Sequence, residues 1–391
     1  MKRICFITGT RADYGIMAPI MRHVEESPDA RLQIVATNMH LSNKHGMTVS
    51  EIEGDGFAVH HTVDSLVEGN GSEAIVKSMG RTQEGLAEAF VKLKPDLVVI
   101  LGDRYEALAA ASAAVAFNIP IAHLHGGETT EGAIDDKFRH AITQLSDYHF
   151  AATPQYAERI TSMGKDPSTV YHSGAPGAEI REEDDEYEMA RQLALKTGIE
   201  PGEPFILLAF HPVTTLPDKG TSELKAVLKA LDPFVTQGYK ILVTMPNSDP
   251  GNEEITRLLT NWALNHLPRK AFPVTPLRVI LEKSLGSRLF HYAMEHAAAM
   301  VGNSSAALIE APSHRLGAVN VGIRQKGRAH GASVLNVPAQ EERIRQAIEA
   351  ALSVEMKTVL LGQPLTALNP YFKQDSAKFI ADTLIGISRD L

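Results

Sequence analysis

Between residues 123 and 140 the chain reads His-Leu-His-Gly-Gly-Glu-Thr-Thr-Glu-Gly-Ala-Ile-Asp-Asp-Lys-Phe-Arg-His. A loop that only connects two elements needs the glycines but has no use for so many ionisable groups. A site that moves protons and handles phosphate has use for both. His125, Glu128, Glu131, Asp135, Asp136, Arg139 and His140 are the candidate acid–base groups. Carboxylates crowded together push one another's pKa values apart, so an acid and a base can coexist at one pH. Asp135–Arg139 and Asp136–His140 are also spaced as i,i+4 helix pairs, which stabilise an ordinary surface by only a few tenths of a kcal/mol. Position beside Gly126-Gly127 favours a site role for Asp135 and Arg139. Asp103 and Arg104 follow a very apolar run, where an aspartate serves either as a helix cap or as a site carboxylate.

A second set of residues suits an anion. Gly9-Thr10-Arg11 ends one apolar run and opens a helical pattern, and Gly302-Asn-Ser-Ser305 does the same later in the chain. Backbone N–H groups at such turns favour phosphate. Ser304 and Ser305 either cap the helix that follows or, with free N–H groups, hold a pyrophosphate. The basic run Arg324-Gln-Lys-Gly-Arg328 supports the phosphate reading. Glu310, about two turns into that helix, is placed to accept hydrogen bonds from a ribose diol or to serve as surface charge. His211 opens a further polar motif, His-Pro-Val-Thr.

Several chemistries drop out. No G-x-G-x-x-G dinucleotide fingerprint is present. No histidine or cysteine spacing suggests zinc, so no metal or other cofactor is expected. His60, His61, His291 and His296 read as surface or strand-edge residues. No Gly-x-Ser-x-Gly elbow occurs. The one cysteine, Cys5, falls inside an apolar run and reads as a small buried hydrophobe. A single cysteine and no long apolar run predict a cytoplasmic protein without a membrane span. The net charge of −9 argues against nucleic-acid binding but leaves room for a local cationic patch.

The elements that must position these groups follow from periodicity. Strand-length apolar runs at 3–8, 32–37, 97–101, 119–123 and 148–151 alternate with helical patterns at 14–26, 73–93, 105–117 and 136–145. The acidic run 181–188 reads as a linker or helix start. The alternation then resumes, with strands at 205–210, 240–244, 300–302 and 318–321. At 391 residues two domains are the natural reading. The fold class is α/β: two doubly wound, Rossmann-like domains facing a cleft, spanning 1–180 and 181–369. An amphipathic C-terminal helix (370–391) packs back on the first domain. Every polar motif named above except the 324–328 run lies just after a predicted strand at 3–8, 97–101, 119–123, 205–210 or 300–302, where ligands bind in such sheets.

Taken together, the motifs resemble the UDP-N-acetylglucosamine 2-epimerase family, and more closely its hydrolysing branch in sialic- and nonulosonic-acid biosynthesis. The resemblance rests on Gly-Thr-Arg-Ala-Asp-Tyr-Gly (9–15), Leu-Gly-Asp-Arg-Tyr-Glu (101–106), His-Gly-Gly-Glu (125–128) and Asp-Asp-x-x-Arg-His (135–140). It continues through His-Pro-Val-Thr (211–214), Gly-Asn-Ser-Ser (302–305), Ile-Glu-Ala-Pro-Ser (309–313) and Arg-Gln-Lys-Gly-Arg (324–328). It implies a glycosyltransferase-B-like fold without a metal or nicotinamide. It also implies loss of UDP from a UDP-2-acetamido sugar to give a glycal, then hydration to the free 2-epimer. Asp103 and Asp135 match the catalytic carboxylates, Arg139 follows in register, and His211 matches a second-domain histidine. Arg11, Arg104, Ser304, Ser305, Glu310 and Arg324 match substrate or nucleotide contacts, and Phe290 a position near the uracil. Relatives often carry glutamate where His125 stands, which leaves proton transfer to His125 or Glu128. The non-hydrolysing branch typically has Pro-Glu after Gly-Thr-Arg, then a lysine, and Thr-Gly-Gln-His after the second strand. Ala12-Asp13, Ile16 and Thr37-Asn-Met-His40 stand there instead, which favours hydrolysis. UDP-N-acetylglucosamine is the expected substrate, with UDP-2,4-diacetamido-2,4,6-trideoxyglucose as the alternative. The expected partner is the UDP-sugar itself, with no nucleic acid and no membrane. A homodimer or homotetramer is expected, with helix 73–93 as a candidate face.

Overall fold

The structure is a computed structural model and describes residues 1–69, 71–180, 185–247, 249–267 and 277–387. It divides into two compact units: residues 1–129, 134–179 and 373–391, and residues 130–133 and 180–372. Of the acidic run at 181–188, residues 181–184 lie outside the described residues, and the helix Glu186–Thr197 begins within its remainder.

The first unit is built on a parallel sheet of β1 (Lys2–Thr8), β2 (Ala30–Thr37), β3 (His61–Val63), β4 (Leu97–Leu101), β5 (Ile121–Leu124), β6 (Tyr148–Ala151) and β7 (Val170–His172). Their spatial order is β3-β2-β1-β4-β5-β6-β7. Parallel strands need crossover helices, and helices on both faces bury both sides of the sheet. Ile4, Phe6, Ile34, Leu97 and Val99 accordingly point into one core, and Cys5, Ile7, Val35, Val98 and Ile100 into the other. Cys5 has no exposure, and burial pushes its thiol up to about 12, so it packs as a hydrophobe. The alanine-rich helix Tyr105–Ala116 lies against the second of these cores through Ala107, Ala110, Ala111 and Ala114. Of the expected helix at 370–391, the described part is helical over Ser376–Gly386, and residues 388–391 lie outside the described residues. Ala377, Ile380, Ala381 and Leu384 join the core of the helix Arg11–Glu26, while Lys2 donates to the Leu384 and Ile387 carbonyls, both at 2.8 Å.

The second unit repeats the plan with β8 (Phe205–Ala209), β9 (Lys240–Thr244), β10 (Val279–Glu282), β11 (Ala299–Gly302), β12 (Ala318–Val321) and β13 (Val334–Val337), ordered β10-β9-β8-β11-β12-β13. In each sheet the order reverses beside the first strand, between β1 and β4 and between β8 and β11. That reversal opens the crevice in which doubly wound sheets bind ligands. The Gly9 turn and Asp103 leave β1 and β4. His211 and Asn303 leave β8 and β11. At the second crevice Gly302 has φ +136°, and a Cβ there would overlap the Ala209 carbonyl, so only glycine lets the two strand ends approach.

Residues 130–133 interrupt the first unit's sequence and pack within the second. Glu131 N–H donates to the Lys326 carbonyl at 3.1 Å, and Thr215 Oγ1 donates to the Gly132 carbonyl at 3.0 Å. Among the described residues no helix is long and apolar enough to cross a membrane.

Candidate active site

In the first unit, the Gly9–Arg11 turn is shaped by its own aspartate. Thr10 caps the helix Arg11–Glu26, and Asp13 returns the bond in a capping box, which is why the helix begins three residues earlier than periodicity suggests. Asp13 accepts from Gly9 N–H at 2.9 Å and from Thr10 N–H and hydroxyl at 2.8 Å each. The N–H groups that looked open to a phosphate are therefore engaged with a carboxylate. Arg11 is largely desolvated, which lowers its pKa against the opposing pull of Glu51.

Asp103 does not cap the helix that follows; the cap position belongs to Arg104, without a side-chain bond. Asp103 Oδ2 instead accepts from Arg139 Nη2. Arg139, on the helix Asp135–Leu145, is 1% exposed and its Nη1 also lies 3.8 Å from Glu128 Oε2. Glu128 is wholly buried, and its Oε1 meets His125 Nδ1 at 2.6 Å. Asp103, Arg139, Glu128 and His125 thus form one continuous chain of ionisable groups. A single guanidinium therefore faces two carboxylates. His125 has φ +62°, unusual for a side chain with a Cβ, and its Nε2 is buried with no hydrogen-bond partner among the described residues. Strain of this kind gathers at functional sites.

Asp135 is half-buried in the first turn of the same helix, and His140 Nε2 lies 3.7 Å from Asp136. Glu131 does not join the cluster. It is exposed and pairs with Lys326 at 2.7 Å, a surface contact of little energetic weight. Glu106, which sequence reasoning quoted in a motif but did not assign, lies against Gly9. It is buried, accepts from Arg104 Nε at 2.6 Å, and burial raises its pKa against the lowering pull of Arg104.

In the second unit Asn303 is the organising residue. Its side chain accepts from His211 N–H at 2.7 Å and donates to the His211 carbonyl at 2.8 Å. Its own carbonyl accepts from Arg324 Nη1 at 3.2 Å and Gln325 Nε2 at 2.8 Å. Arg324 also donates to the Pro212 carbonyl at 3.3 Å and lies 3.9 Å from Asp249. His211, Asn303 and Arg324 are therefore brought together, and Ser304 and Ser305 follow directly on Asn303. Ser305 stands at the cap position of a one-turn helix, Ala306–Ile309, without a side-chain cap bond. Ser304 Oγ accepts from Ala306 N–H at 3.3 Å. Glu310 ends that short helix rather than lying two turns within it. Phe290 is half-buried against the core beneath the helix Ser287–His296. His291 on that helix is buried, not at the surface, because it bonds His314 at 2.9 Å. Asn303 and Gln325 lacked a signal because neutral amides that bind backbone look like ordinary polar residues in sequence. Among the described residues no group of three His, Cys, Asp or Glu side chains is placed to hold a metal ion.

A family profile described as UDP-N-acetylglucosamine 2-epimerase matches residues 22–385. The UDP-N,N'-diacetylbacillosamine 2-epimerase (hydrolyzing) of Legionella pneumophila is 34% identical over 355 residues, covering 90% of this chain and 89% of that protein. The UDP-N-acetylglucosamine 2-epimerase of Neisseria meningitidis serogroup B is 31% identical over 362 residues, covering 90% and 88%. The Methanocaldococcus jannaschii UDP-GlcNAc 2-epimerase, solved with UDP-GlcNAc and UDP, superposes with a TM-score of 0.76 at 16% identity over 98% of this chain and 99% of that one. That likeness extends the doubly wound, two-unit plan to an enzyme of glycosyltransferase-B-like architecture. With nearly the whole chain matched, the protein belongs to the UDP-N-acetylglucosamine 2-epimerase family.

Proposed function

We propose that the protein is a hydrolysing 2-epimerase that converts UDP-N-acetylglucosamine to N-acetylmannosamine and UDP. The observation that carries this reading is the buried chain Asp103–Arg139–Glu128–His125 at the end of β4 and β5. A base in this chain removes the proton from sugar carbon 2 as the bond from carbon 1 to the UDP oxygen breaks, leaving a glycal in an anti-elimination. Water then adds across the double bond, hydroxyl to carbon 1 and a proton to carbon 2 from the opposite face. Asp103 and Asp135 are assigned as the catalytic carboxylates, with His125 or Glu128 completing the proton transfers and Arg139 holding the carboxylates in place. Arg104 is assigned to the substrate beside them. His211 completes the acid–base set, and Arg11, Ser304, Ser305, Glu310 and Arg324 bind the nucleotide diphosphate, with Phe290 near the uracil. Cations and N–H groups aimed at the leaving diphosphate stabilise the charge that develops there.

Hydrolysis is favoured over reversible epimerisation by two features. The Legionella relative carries that reaction in its name. Asp13 occupies the Gly9 and Thr10 N–H groups where the non-hydrolysing branch typically has glutamate. The same relative favours a second reading of the sugar, with 4-acetamido and 6-deoxy substituents on the same scaffold. A homo-oligomer is part of the proposal: the helix Ser72–Leu93 exposes Val76 (67%) and Val91 (64%).

Proton NMR with UDP-N-acetylglucosamine in deuterated water tests the reaction directly. The expected products are UDP and free N-acetylmannosamine carrying deuterium at carbon 2, with no acceptor added. A mixture of UDP-sugars in place of free sugar would overturn hydrolysis. Turnover of UDP-2,4-diacetamido-2,4,6-trideoxyglucose alone would move the assignment to the second sugar. No reaction with either would leave a transferase or a non-catalytic nucleotide-sugar sensor.

A further inference from the structure

Glu223 is a buried carboxyl that the proposed reaction does not use. It is the third residue of the helix Thr221–Thr236, a position from which glutamate commonly turns back to bond its own helix N-terminus. Here Asp218 serves that end, accepting from Gly220 N–H at 3.1 Å and Ser222 N–H at 3.0 Å. Glu223 reaches instead to the turn after β12, where its carboxyl lies against Gly322. Its carboxyl lies so close over Gly322 that a Cβ there would overlap both oxygens, and Gly322 has φ +77°. Glu223 Oε2 is buried with no hydrogen-bond partner among the described residues. Desolvation pushes the carboxyl up to about 7, the Ile323 N–H pulls it down, and the like charge of Asp218 adds to the rise. A group that costs this much to bury is better explained by the turn it holds than by packing. The turn leads straight into Arg324 and Gln325, both bonded to the carbonyl of Asn303, whose side chain clamps His211.

We propose that Glu223 is a positioning residue for the nucleotide diphosphate: it fixes the Gly322–Ile323 backbone and so aims the Arg324 guanidinium, without touching the ligand. The inference rests on the reading of Arg324 as a diphosphate contact.

Calorimetric titration of UDP, with steady-state kinetics, tests it on the full chain. Glu223→Ala is expected to weaken UDP about tenfold and to raise KM about equally, with kcat within about twofold. Glu223→Gln keeps an acceptor of the same shape and is expected to restore affinity to within about threefold of the parent. Glu223→Asp keeps the charge in a shorter side chain, and about a fivefold loss is expected even where the alanine variant does not fold. The Glu223→Ala and Arg324→Ala losses are expected to be non-additive when combined, which a merely structural role for Glu223 would not produce. Parental UDP affinity in Glu223→Ala or Glu223→Asp, beside a weakened Arg324→Ala, would overturn the proposal alone. Parental affinity in Arg324→Ala would overturn the diphosphate reading and this inference with it.

Discussion

Asp103→Asn is expected to lower kcat about 10²–10⁴-fold while UDP still binds. The substitution keeps the shape of the side chain and its acceptor oxygen, so Arg139 retains a neutral partner in place of an ionised one. The Asp103 side chain is only 22% exposed and Arg139 1%, so little water screens the change. What is lost is the negative charge that lets this position take or balance a proton. Asp135→Asn should fall in the same range if both carboxylates serve the reaction. Arg139→Met separates chemistry from architecture. It leaves Asp103 and Glu128 facing each other without their cation, and removal of one partner from a buried charge pair costs about 3–5 kcal/mol. Single-turnover kinetics with UDP titration distinguish the cases: Asp103→Asn loses rate at unchanged affinity, whereas Arg139→Met loses stability as well. Near-parental turnover in both aspartate variants would remove these carboxylates from the mechanism.

The sequence showed the centre of each sheet and missed its borders. β1, β2, β4, β5 and β6, then β8, β9, β11 and β12, carry apolar runs because both faces are covered. The four missed strands, β3, β7, β10 and β13, are the edges of the two sheets. They have three or four residues each and are partly exposed, so whatever apolar signal they carry is short. Since ligand sites in such sheets lie at the central crevice, missing the edges did not displace the site. Asp103, His125, Glu128 and Arg139 were visible as ionisable groups at strand ends, and the structure joins them into one chain. Glu131 looked equally suitable in sequence, yet residues 130–133 pack within the other unit. Asn303 and Glu223 show the opposite limit. Each is set against the backbone of a distant segment, His211 for Asn303 and Gly322 for Glu223, and no local spacing encodes that pairing.

A second large effect concerns stability. Unfolding free energy is expected to fall by about 3–4 kcal/mol between pH 7 and pH 5, before most carboxylates titrate. His123 and His149 sit opposite each other on β5 and β6 with no exposure. Burial lowers His123 to about 4, partly opposed by the Gly102 carbonyl, to which its Nε2–H donates at 2.7 Å. Burial lowers His149 to about 3, reinforced by His123 and Lys165, and neither ring nitrogen has a hydrogen-bond partner among the described residues. Both rings are therefore neutral in the folded protein at pH 5. In the unfolded chain both bind a proton as pH falls through 6.5, the ordinary histidine value. The unfolded state then holds more protons, so stability drops as pH falls, by up to about 2.7 kcal/mol per pH unit for the pair. The loss levels off only as the pH approaches the folded values near 4 and 3. His40, also buried and lowered, contributes with the same sign. Urea unfolding at pH 7, 6 and 5 measures the slope, and His149→Leu should remove about 1.4 kcal/mol per pH unit of it. Leucine also replaces two buried nitrogens with apolar atoms, so the variant should be at least as stable as the parent at pH 5. A parent whose stability does not change between pH 7 and 5, or a His149→Leu slope equal to the parent's, would show that these rings are not held neutral by the fold.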